Sequence, residues 1–350
     1  MRIQADDLGK GQGTGGDDFQ CSPTNTFVQN VFPVQVREVV MSGLDRPTPQ
    51  AQMIEPVRVT FESQGVECAG CFYWPGKPRT PLPCVVLCNG FSGTMDWMLP
   101  QFAERFASVG IAAFVFDYRH FGESQGRPRQ LVSVSRQRQD IMAALRFVRA
   151  QTNIDARRIA LWGTSLGGGH VIDIASRDPG IVAVIAQVPG IDFVRKEARA
   201  TIEIPPSTVA RLLAAAVWDG LRGLLGLPPC YVKVFGRPGE LAIFTEPALQ
   251  EKFHALVQGS PTWRNEFTPR FYLAPPRYRD GTAERIKAPM LVAIAEGDVY
   301  ANPRFQAWVG EHAPSGEVKR YPGGHFDVYH DLFEEVVRDQ IAFLERYVAG

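Results

Sequence analysis

The sequence lacks any long uninterrupted run of apolar residues. A helix needs about 18 or more such residues to span a membrane, and no segment of the 350-residue chain approaches that length. The first residues, Met1 to Asp7, also lack the apolar core of a signal peptide. We therefore expect a soluble protein without a membrane span that resides in the cytoplasm.

An excess of charge of one sign is absent as well. The chain carries 37 Lys and Arg residues against 37 Asp and Glu residues, so its formal net charge is zero. Binding to nucleic acid needs a basic excess that neutralises phosphates, and we expect no nucleic-acid partner. Because 45% of the residues are hydrophobic, a chain of this length can bury one large core. A soluble enzyme with a small-molecule partner is the default expectation.

The cysteines form no disulfide or metal pattern. Cys68 and Cys71 have the CxxC spacing, but no second such pair completes a zinc site. On an extended strand their Cα atoms would lie roughly 10 Å apart, which is too far for a disulfide. We therefore expect reduced thiols, no metal centre and no cofactor. The cysteines are Cys21, Cys68, Cys71, Cys84, Cys88 and Cys230.

The first 33 residues are predicted to be a flexible tail. The stretch Gly11 to Gly16 formally matches the dinucleotide-binding fingerprint GxGxxG. That fingerprint requires a preceding strand and a following helix, and neither pattern is present here. The small and polar composition is typical of a linker. The first strand is expected within Phe32 to Val40.

From residue 34 onward, predicted strands alternate with predicted helices. A hairpin at the edge of the sheet is expected first, and the alternation that follows is typical of a mostly parallel sheet with helices on both faces, an α/β fold. The alternation stops near Val188 and resumes near Ala288. We therefore expect residues 189–287 to be a largely helical lid inserted into a core of 34–188 and 288–350. The predicted elements are strands 56–63, 66–74, 84–89, 111–117, 158–163 and 181–188 and helices 99–109, 132–151 and 166–177.

Two GxSxG motifs offer a candidate serine nucleophile. Gly163 to Gly167 stands directly between a short apolar run and a helical stretch, which is the context of a nucleophile elbow. Gly122 to Gly126 follows its apolar run by several residues and precedes Arg127-Pro128, which begins no apolar helix. The context therefore favours Ser165 as the nucleophile and predicts that Ser124 lies in a loop.

A serine nucleophile needs a base and an orienting acid, which follow it along the chain in this type of fold. Asp298 comes just after the strand-like run 289–295, and His325 follows a glycine turn before the last helix. We predict Asp298 as the acid and His325 as the general base. Glu296 is the runner-up acid, and a role in bracing its loop is expected for Asp327. His170, five residues after the serine, is expected to be a buried hydrogen-bonding residue.

Acyl transfer also requires two backbone donors for the oxyanion. The Leu166 amide lies at the start of the helix after the nucleophile, where the helix dipole favours negative charge. The loop Asn89 to Gly93 follows an earlier apolar strand, and Gly90 allows the Phe91 amide to turn toward the site. We predict Phe91 and Leu166 as the oxyanion hole. An ordinary turn is the alternative for the Asn89-Gly90 pair.

Five motifs in this order resemble the α/β-hydrolase superfamily over about residues 34–348. Within it, the chain resembles X-Pro dipeptidyl-peptidase-like and dienelactone-hydrolase-like proteins, a group that includes polyketide hydrolases and polyketide transferases. The resemblance implies an α/β-hydrolase fold with a triad of Ser165, Asp298 and His325. Many members have histidine where this chain has Asn89, and dienelactone hydrolases proper have a cysteine nucleophile. The motifs are 88–93, 116–124, 163–167, 296–298 and 323–327.

The expected lid carries apolar residues at helical spacing within Pro206 to Leu227. This stripe either packs on the core or roofs an acyl pocket, and we predict Trp218, Phe235 and Trp263 as substrate contacts. An exposed part of the stripe would suit a homodimer.

The predicted function is cleavage of a carboxylic ester or thioester with an apolar acyl group, through an acyl-enzyme on Ser165. The alternatives are an acyltransferase of the polyketide-transferase type with the same triad, an X-prolyl-type peptidase, and a non-catalytic binding protein of the same fold.

Overall fold

A computed structural model describes residues 54–76 and 81–349 of the chain. The predicted flexible tail at 1–33 and the predicted first strand within 32–40 lie outside the described residues. The remaining predicted elements fall inside them.

An eight-stranded sheet forms the centre of the fold. Its strand order is β1-β2-β4-β3-β5-β6-β9-β10. The hairpin of β1 and β2 joins β4 antiparallel, and the other neighbouring strands are parallel. The prediction of a mostly parallel α/β sheet with a hairpin at its edge is thereby confirmed. The strands are β1 (Pro56–Ser63), β2 (Val66–Tyr73), β3 (Leu82–Cys88), β4 (Ala112–Phe116), β5 (Ile154–Thr164), β6 (Ile181–Gln187), β7 (Lys233–Phe235), β8 (Ala242–Phe244), β9 (Met290–Ala295) and β10 (Gly316–Tyr321).

Proline marks the beginning of several of the helices that connect these strands. α1, α4, α5 and α6 each have proline in the first turn, where the missing N–H would have no intrahelical acceptor. Asn302 caps α6, since its side chain accepts a hydrogen bond from the Arg304 amide at 3.0 Å. The helices are α1 (Leu99–Ser108), α2 (Val134–Arg149), α3 (Leu166–Ala175), α4 (Pro206–Leu224), α5 (Pro247–Val257), α6 (Pro303–His312) and α7 (Phe333–Leu344).

Two consecutive residues of β5 show that helices cover both faces of the sheet. Trp162 points to one face, where its ring lies 4.9 Å from the Phe102 ring of α1 and its indole N–H donates to Gln340 of α7. Successive strand residues point to opposite faces. Gly163 accordingly faces the other side, where a Cβ would meet Val171 of α3 at 2.8 Å. α1 and α7 therefore cover one face, and α3 covers the other.

Residues 189–287, called the insertion below, contribute no strand to the eight-stranded sheet. They contain α4, α5 and a separate pair of parallel strands, β7 and β8. Asp219 of α4 is fully buried and forms two hydrogen bonds with the Arg270 guanidinium, at 2.6 and 2.9 Å. Two parallel hydrogen bonds of this kind help to offset the desolvation cost of burying a charged pair. That the insertion acts as a lid stays a prediction.

Within residues 54–76 and 81–349, no helix combines the length and the apolar character that crossing a membrane requires. The location in the cell and the formation of a homodimer stay predictions.

Candidate active site

Ser165 occupies a sharp turn between a strand and a helix. β5 ends at Thr164, α3 begins at Leu166, and Ser165 has φ 52 and ψ −122 degrees. A positive φ is unusual for a residue with a side chain. The turn is held on both sides, because the Ser165 N–H donates to the Gln187 carbonyl at 2.9 Å and its carbonyl accepts from the Gly190 N–H at 2.7 Å. This backbone has the geometry of a nucleophile elbow.

The two glycines of the motif are required by close packing of the backbone. A Cβ on Gly163 would lie 2.4 Å from the Gly167 carbonyl oxygen, and a Cβ on Gly167 would lie 2.3 Å from the Asn89 carbonyl oxygen. Real Cβ atoms do not approach other atoms so closely. The elbow therefore packs directly against the end of β3 and the loop that follows it.

The side chains of Ser165, His325 and Asp298 form a continuous hydrogen-bonded chain. The Ser165 hydroxyl lies 3.0 Å from His325 Nε2, and His325 Nδ1 lies 2.7 Å from Asp298 Oδ2. His325 and Asp298 are buried, whereas Ser165 is partly accessible. The structure thus brings together the three residues that were predicted from the sequence.

The Asp298 carboxylate is fixed by donors on both oxygens. Oδ1 accepts from the backbone N–H groups of Tyr300 and Ala301, at 2.8 and 2.9 Å. Oδ2, which faces the histidine, also receives Gln306 Nε2 at 3.4 Å. The sequence did not point to Gln306, because its position on α6 reaches Asp298 only once α6 has packed beside β9.

The turn that carries His325 is braced by Asp327. Asp327 Oδ2 accepts from the Gly324 N–H at 2.8 Å, and Oδ1 accepts from Lys252 Nζ at 2.6 Å. Lys252 belongs to α5, so the insertion holds the histidine loop in place. Glu296, the runner-up acid, is exposed to solvent.

Ser124 has both of its hydrogen-bonding functions occupied by backbone groups. Its hydroxyl accepts from the Ala69 N–H at 2.8 Å and donates to the Asp117 carbonyl at 2.7 Å. The Asp117 carboxylate beside it is fully buried and accepts from the Met95 N–H at 2.7 Å. Burial raises the pKa of Asp117 to about 7. Ser124 therefore joins β2 to the loop after β4.

His170 lies in the core between α2 and α3. It is fully buried, its Nε2 is 3.0 Å from Gln137 Oε1, and burial holds its pKa well below the ordinary value. This is the placement expected of a buried hydrogen-bonding residue.

The two predicted oxyanion donors border Ser165. Leu166 is the first residue of α3, where backbone N–H groups have no intrahelical acceptor. The loop of Phe91 approaches from the other side, since a Cβ on Gly90 would lie 3.1 Å from the Ser165 Cβ. Phe91, Ser165 and His325 line the same cavity.

A buried polar chain under the elbow was not anticipated from the sequence. The Thr164 and Tyr329 hydroxyls form a hydrogen bond, and Gln187 Nε2 donates to the Thr164 hydroxyl at 3.3 Å. Gln340 Nε2 donates in turn to Gln187 Oε1 at 2.7 Å, and its own Oε1 accepts from Trp162 at 2.8 Å. The chain ties the end of β5 to β6, to α7 and to the turn before α7.

A cavity of about 810 Å³ opens onto Ser165 and His325. Its volume is in the range of sites for small molecules. Apolar side chains from the core and from the insertion supply most of its wall, and α4 contributes part of its apolar stripe. The aliphatic and aromatic lining residues include Ile191, Val194, Ile202, Ile204, Val209, Leu212, Leu213, Ile243, Phe244, Tyr272, Tyr300 and Phe305.

The three predicted substrate contacts do not line this cavity. Trp218 is 49% exposed, because it follows the lining residue Val209 by nine positions, which turns it to the opposite side of α4. Phe235 packs behind the wall, with its ring 5.1 Å from that of Phe244. Trp263 lies against Phe235, with ring centroids 6.0 Å apart. The structure thus places Phe244 and residues of α4 at the cavity in their stead, and a role of the three predicted residues in binding substrate stays a prediction.

Asp192 is the single carboxylate among the described residues that line the cavity. Its Oδ1 accepts from the N–H groups of Val194 and Arg195, at 2.7 and 2.8 Å, and its Oδ2 accepts from the Tyr278 N–H at 2.8 Å. Asp192 thus shapes the backbone of the cavity. In the described part of the chain, no three His, Cys, Asp or Glu side chains cluster as the ligands of a metal ion would.

The chain is similar in sequence to known proteins over most of its length. A family model described as "Serine aminopeptidase, S33" matches residues 79–227. The quorum-quenching protein AidA of Acinetobacter baumannii is 37% identical over 295 residues, which cover 84% of this chain and 95% of AidA. The thiohydrolase apmlB of Arthrinium phaeospermum is 30% identical over 220 residues, which cover 60% of this chain and 68% of that protein.

A third relative is known both by sequence and by a solved structure. The polyketide transferase grgF of a Penicillium species is 25% identical over 276 residues, which cover 76% of this chain and 89% of that protein. The crystal structure of the α/β hydrolase GrgF from Penicillium sp. sh18 matches with a TM-score of 0.70 at 23% identity and covers 85% of this chain and all of that one. The chain belongs to the α/β-hydrolase family that includes AidA.

Proposed function

We propose that the protein is a serine hydrolase that cleaves a carboxylic ester or thioester through an acyl-enzyme on Ser165. The observation that carries this proposal is the hydrogen-bonded chain of Ser165, His325 and Asp298 at the opening of an apolar cavity. Distances of 3.0 and 2.7 Å already lie in the range in which a base takes a proton from a nucleophile.

The arrangement supports a two-step mechanism. The Ser165 hydroxyl donates its proton to His325 Nε2 while its oxygen attacks the substrate carbonyl carbon. His325 Nδ1–H donates to Asp298, which holds the imidazole in the tautomer that leaves Nε2 free to accept. The tetrahedral intermediate then expels the alcohol or thiol, which takes the proton from Nε2. Water, activated by the same nitrogen, hydrolyses the acyl-enzyme.

Backbone N–H groups stabilise the negative charge in this mechanism. The Leu166 amide points from the first turn of α3, and the Phe91 amide lies on the loop that faces Ser165. Loss of one such donor typically raises the barrier by about 3 to 4 kcal/mol. The glycines at 90 and 167 support both donors, because they allow the two backbone segments to approach each other.

The cavity favours a substrate with an apolar acyl group. Leu212 and Leu213 of α4, together with Phe244 of β8, present hydrocarbon to a chain bound beside Ser165. One relative is named a thiohydrolase, which supports thioesters as substrates. Another is named a quorum-quenching protein, so we propose to test quorum signals as substrates as well. The proposed chemistry requires no cofactor.

An acyltransferase with the same triad is the second candidate. The name of the polyketide transferase relative favours it. In this reaction an alcohol, rather than water, attacks the acyl-enzyme. The two functions differ in the product formed when a nucleophilic alcohol competes with water, so product analysis by mass spectrometry separates them.

Two other functions have less support. An X-prolyl-type peptidase would need an acidic or aromatic clamp for the amino terminus of its substrate, and the carboxylate that lines the cavity, Asp192, is already engaged by three backbone N–H groups. A non-catalytic binding protein would not need the serine, histidine and aspartate aligned at hydrogen-bonding distance. Labelling by a fluorophosphonate probe at Ser165 distinguishes an enzyme from a binding protein.

The test is hydrolysis of p-nitrophenyl esters from acetate to decanoate. We expect the wild type to prefer a medium or long acyl chain and Ser165→Ala to lose activity. Ser124→Ala is the matched control, since it removes the same hydroxyl from the second GxSxG motif. Equal losses in both variants would contradict the assignment of the nucleophile. If the wild type hydrolyses neither esters nor thioesters, and Ser165 is not labelled, the proposed function is wrong.

A further inference from the structure

A second cavity, of about 500 Å³, lies between α2 and α3. It shares no lining residue with the cavity beside Ser165. Its wall comes from α2, from the carboxyl-terminal half of α3, from the turn between β1 and β2, and from the end of the insertion. Neither the triad nor the proposed mechanism uses it.

Four arginines converge on this cavity from three parts of the chain. Arg138 and Arg146 come from α2, Arg177 follows α3, and Arg279 comes from the insertion. Asp173 of α3 is the single carboxylate in the wall of the cavity. Four guanidinium groups against one carboxylate leave an excess of three positive charges, which is notable in a chain with no net charge.

Asp173 is shared between two of the arginines. Arg138 Nη1 lies 3.3 Å from Asp173 Oδ2, and Arg177 Nη2 lies 2.5 Å from Asp173 Oδ1. In the described part of the chain, neither the Arg146 nor the Arg279 guanidinium forms an ion pair with a carboxylate. Both residues line the cavity.

Arg138 also has an unused hydrogen-bond donor. Its Nε is buried and has no hydrogen-bond partner among the described residues, and the same holds for the neighbouring Asp173 Oδ2. Burial, together with the neighbouring charges of Arg177 and Arg279, lowers the pKa of Arg138. A buried donor without an acceptor is costly and uncommon in folded proteins. An anion in the cavity would supply the missing negative charge.

We propose that this arginine-lined cavity binds a small phosphate-bearing molecule. Guanidinium groups present planar sets of donors that match phosphate oxygens, often in pairs. The volume exceeds what one phosphate fills, and Met142 and Ile174 offer apolar surface to the carbon skeleton of the ligand. The phosphate would lie among the four arginine side chains that line the cavity.

Such a ligand would bind apart from the active site and leave the triad uncovered. Asp173 follows Ser165 by eight residues, which corresponds to about 12 Å along α3. Ligand and ester substrate would therefore bind without competing. This inference does not rest on the proposed function, because binding is measured without any substrate.

The experiment is isothermal titration calorimetry of the full chain with pyrophosphate as the probe, against sodium chloride of the same ionic strength. We expect saturable binding to the wild type and an affinity about tenfold weaker in Arg146→Ala and in Arg279→Ala. Both of these side chains are exposed on the rim, so folding should survive their loss. Arg157→Ala is the matched control, because it removes an exposed arginine outside the cavity, and it should bind as the wild type does.

Two outcomes would overturn the inference. One is the absence of binding beyond that of the salt control at millimolar pyrophosphate. The other is equal weakening in Arg157→Ala and the two rim variants, which would indicate attraction to overall charge instead of a site. Ligand-dependent thermal unfolding provides an independent check, because a ligand that binds only the folded state raises the Tm of the wild type, and in Arg279→Ala this shift should be smaller.

Discussion

Replacing Asp298 by asparagine tests whether Asp298 holds His325, the proposed general base, in the tautomer that the proposed mechanism requires. The substitution keeps size and shape but turns one oxygen into an NH₂ group. Oδ1 of the present carboxylate accepts from two backbone N–H groups, those of Tyr300 and Ala301. The amide oxygen of asparagine should therefore occupy that position, because an NH₂ group there would face two donors. The NH₂ group is then directed at His325 Nδ1.

The consequence for the histidine follows from donor and acceptor roles. His325 Nδ1 would have to accept from the NH₂ group, so the ring proton would move to Nε2. Nε2 then donates toward the Ser165 hydroxyl and cannot take its proton. In serine hydrolases, a wrong tautomer of this kind lowers kcat on the order of 10⁴-fold, which corresponds to about 5 kcal/mol in the activation free energy.

The assay is the steady-state hydrolysis of the best p-nitrophenyl ester. We expect Asp298→Asn to lose about four orders of magnitude in kcat with little change in KM. Glu296→Gln is the matched control, since it makes the same chemical change at an exposed carboxylate two residues earlier, and its kcat should stay within about twofold of the wild type. An Asp298→Asn variant that retains a tenth of the wild-type kcat would refute the reasoning, as would an equal loss in Glu296→Gln.

Three further predictions concern the nucleophile, the cavity and a buried histidine. Ser165→Ala should lower kcat by about a thousandfold or more. Ser124→Ala should keep kcat but lose about 1 to 3 kcal/mol of unfolding free energy in urea, because the buried Ala69 N–H loses its acceptor. The reverse pattern would contradict the assignment of Ser165 as the nucleophile. Leu213→Trp should shift the preferred ester toward shorter acyl chains, since Leu213 lines the cavity. Leu221→Trp should cause no such shift, because Leu221 is also 48% exposed but lies outside the cavity. Equal shifts in the two variants would count against the cavity as the acyl site. Burial lowers the pKa of His120 from 6.5 to about 4, so this residue raises the free energy of unfolding by up to about 3 kcal/mol as the pH rises across that window, whereas Asp117, whose pKa is raised to about 7, acts in the opposite direction. In urea unfolding, the stability difference between the wild type and His120→Asn should therefore increase from pH 4 to pH 6.5, and a difference that does not change with pH would disprove the assignment to His120.

The elements of the sheet could be predicted because their signals are local. β3, β9 and residues 159–162 of β5 are continuous apolar runs, and a buried parallel strand needs such a run. The same locality identified Ser165, because the elbow requires a strand, two glycines and a helix that are adjacent in sequence. Asp298 and His325 could be predicted from their order and from the turns that carry them.

The contacts to the cavity could not be predicted in the same way. Trp218 belongs to α4, a helix that is apolar on most of its surface. The sequence pattern of such a helix does not tell which of its sides faces the cavity. Phe235 and Trp263 are aromatic residues of the insertion, but they form a layer behind Phe244. Gln306 contacts Asp298 only because α6 packs against β9 and β10.

The amino-acid sequence by itself determined the α/β architecture and the turns that carry Ser165, Asp298 and His325, because each depends on hydrophobic periodicity and on turn residues that are close together in the chain. Only the tertiary structure decided which side chains line the cavity and which donors fix Asp298. It also decided that four arginines meet at a second cavity. The physical reason is that these features depend on the relative positions of elements far apart in the chain, and packing sets those positions after the local elements have formed.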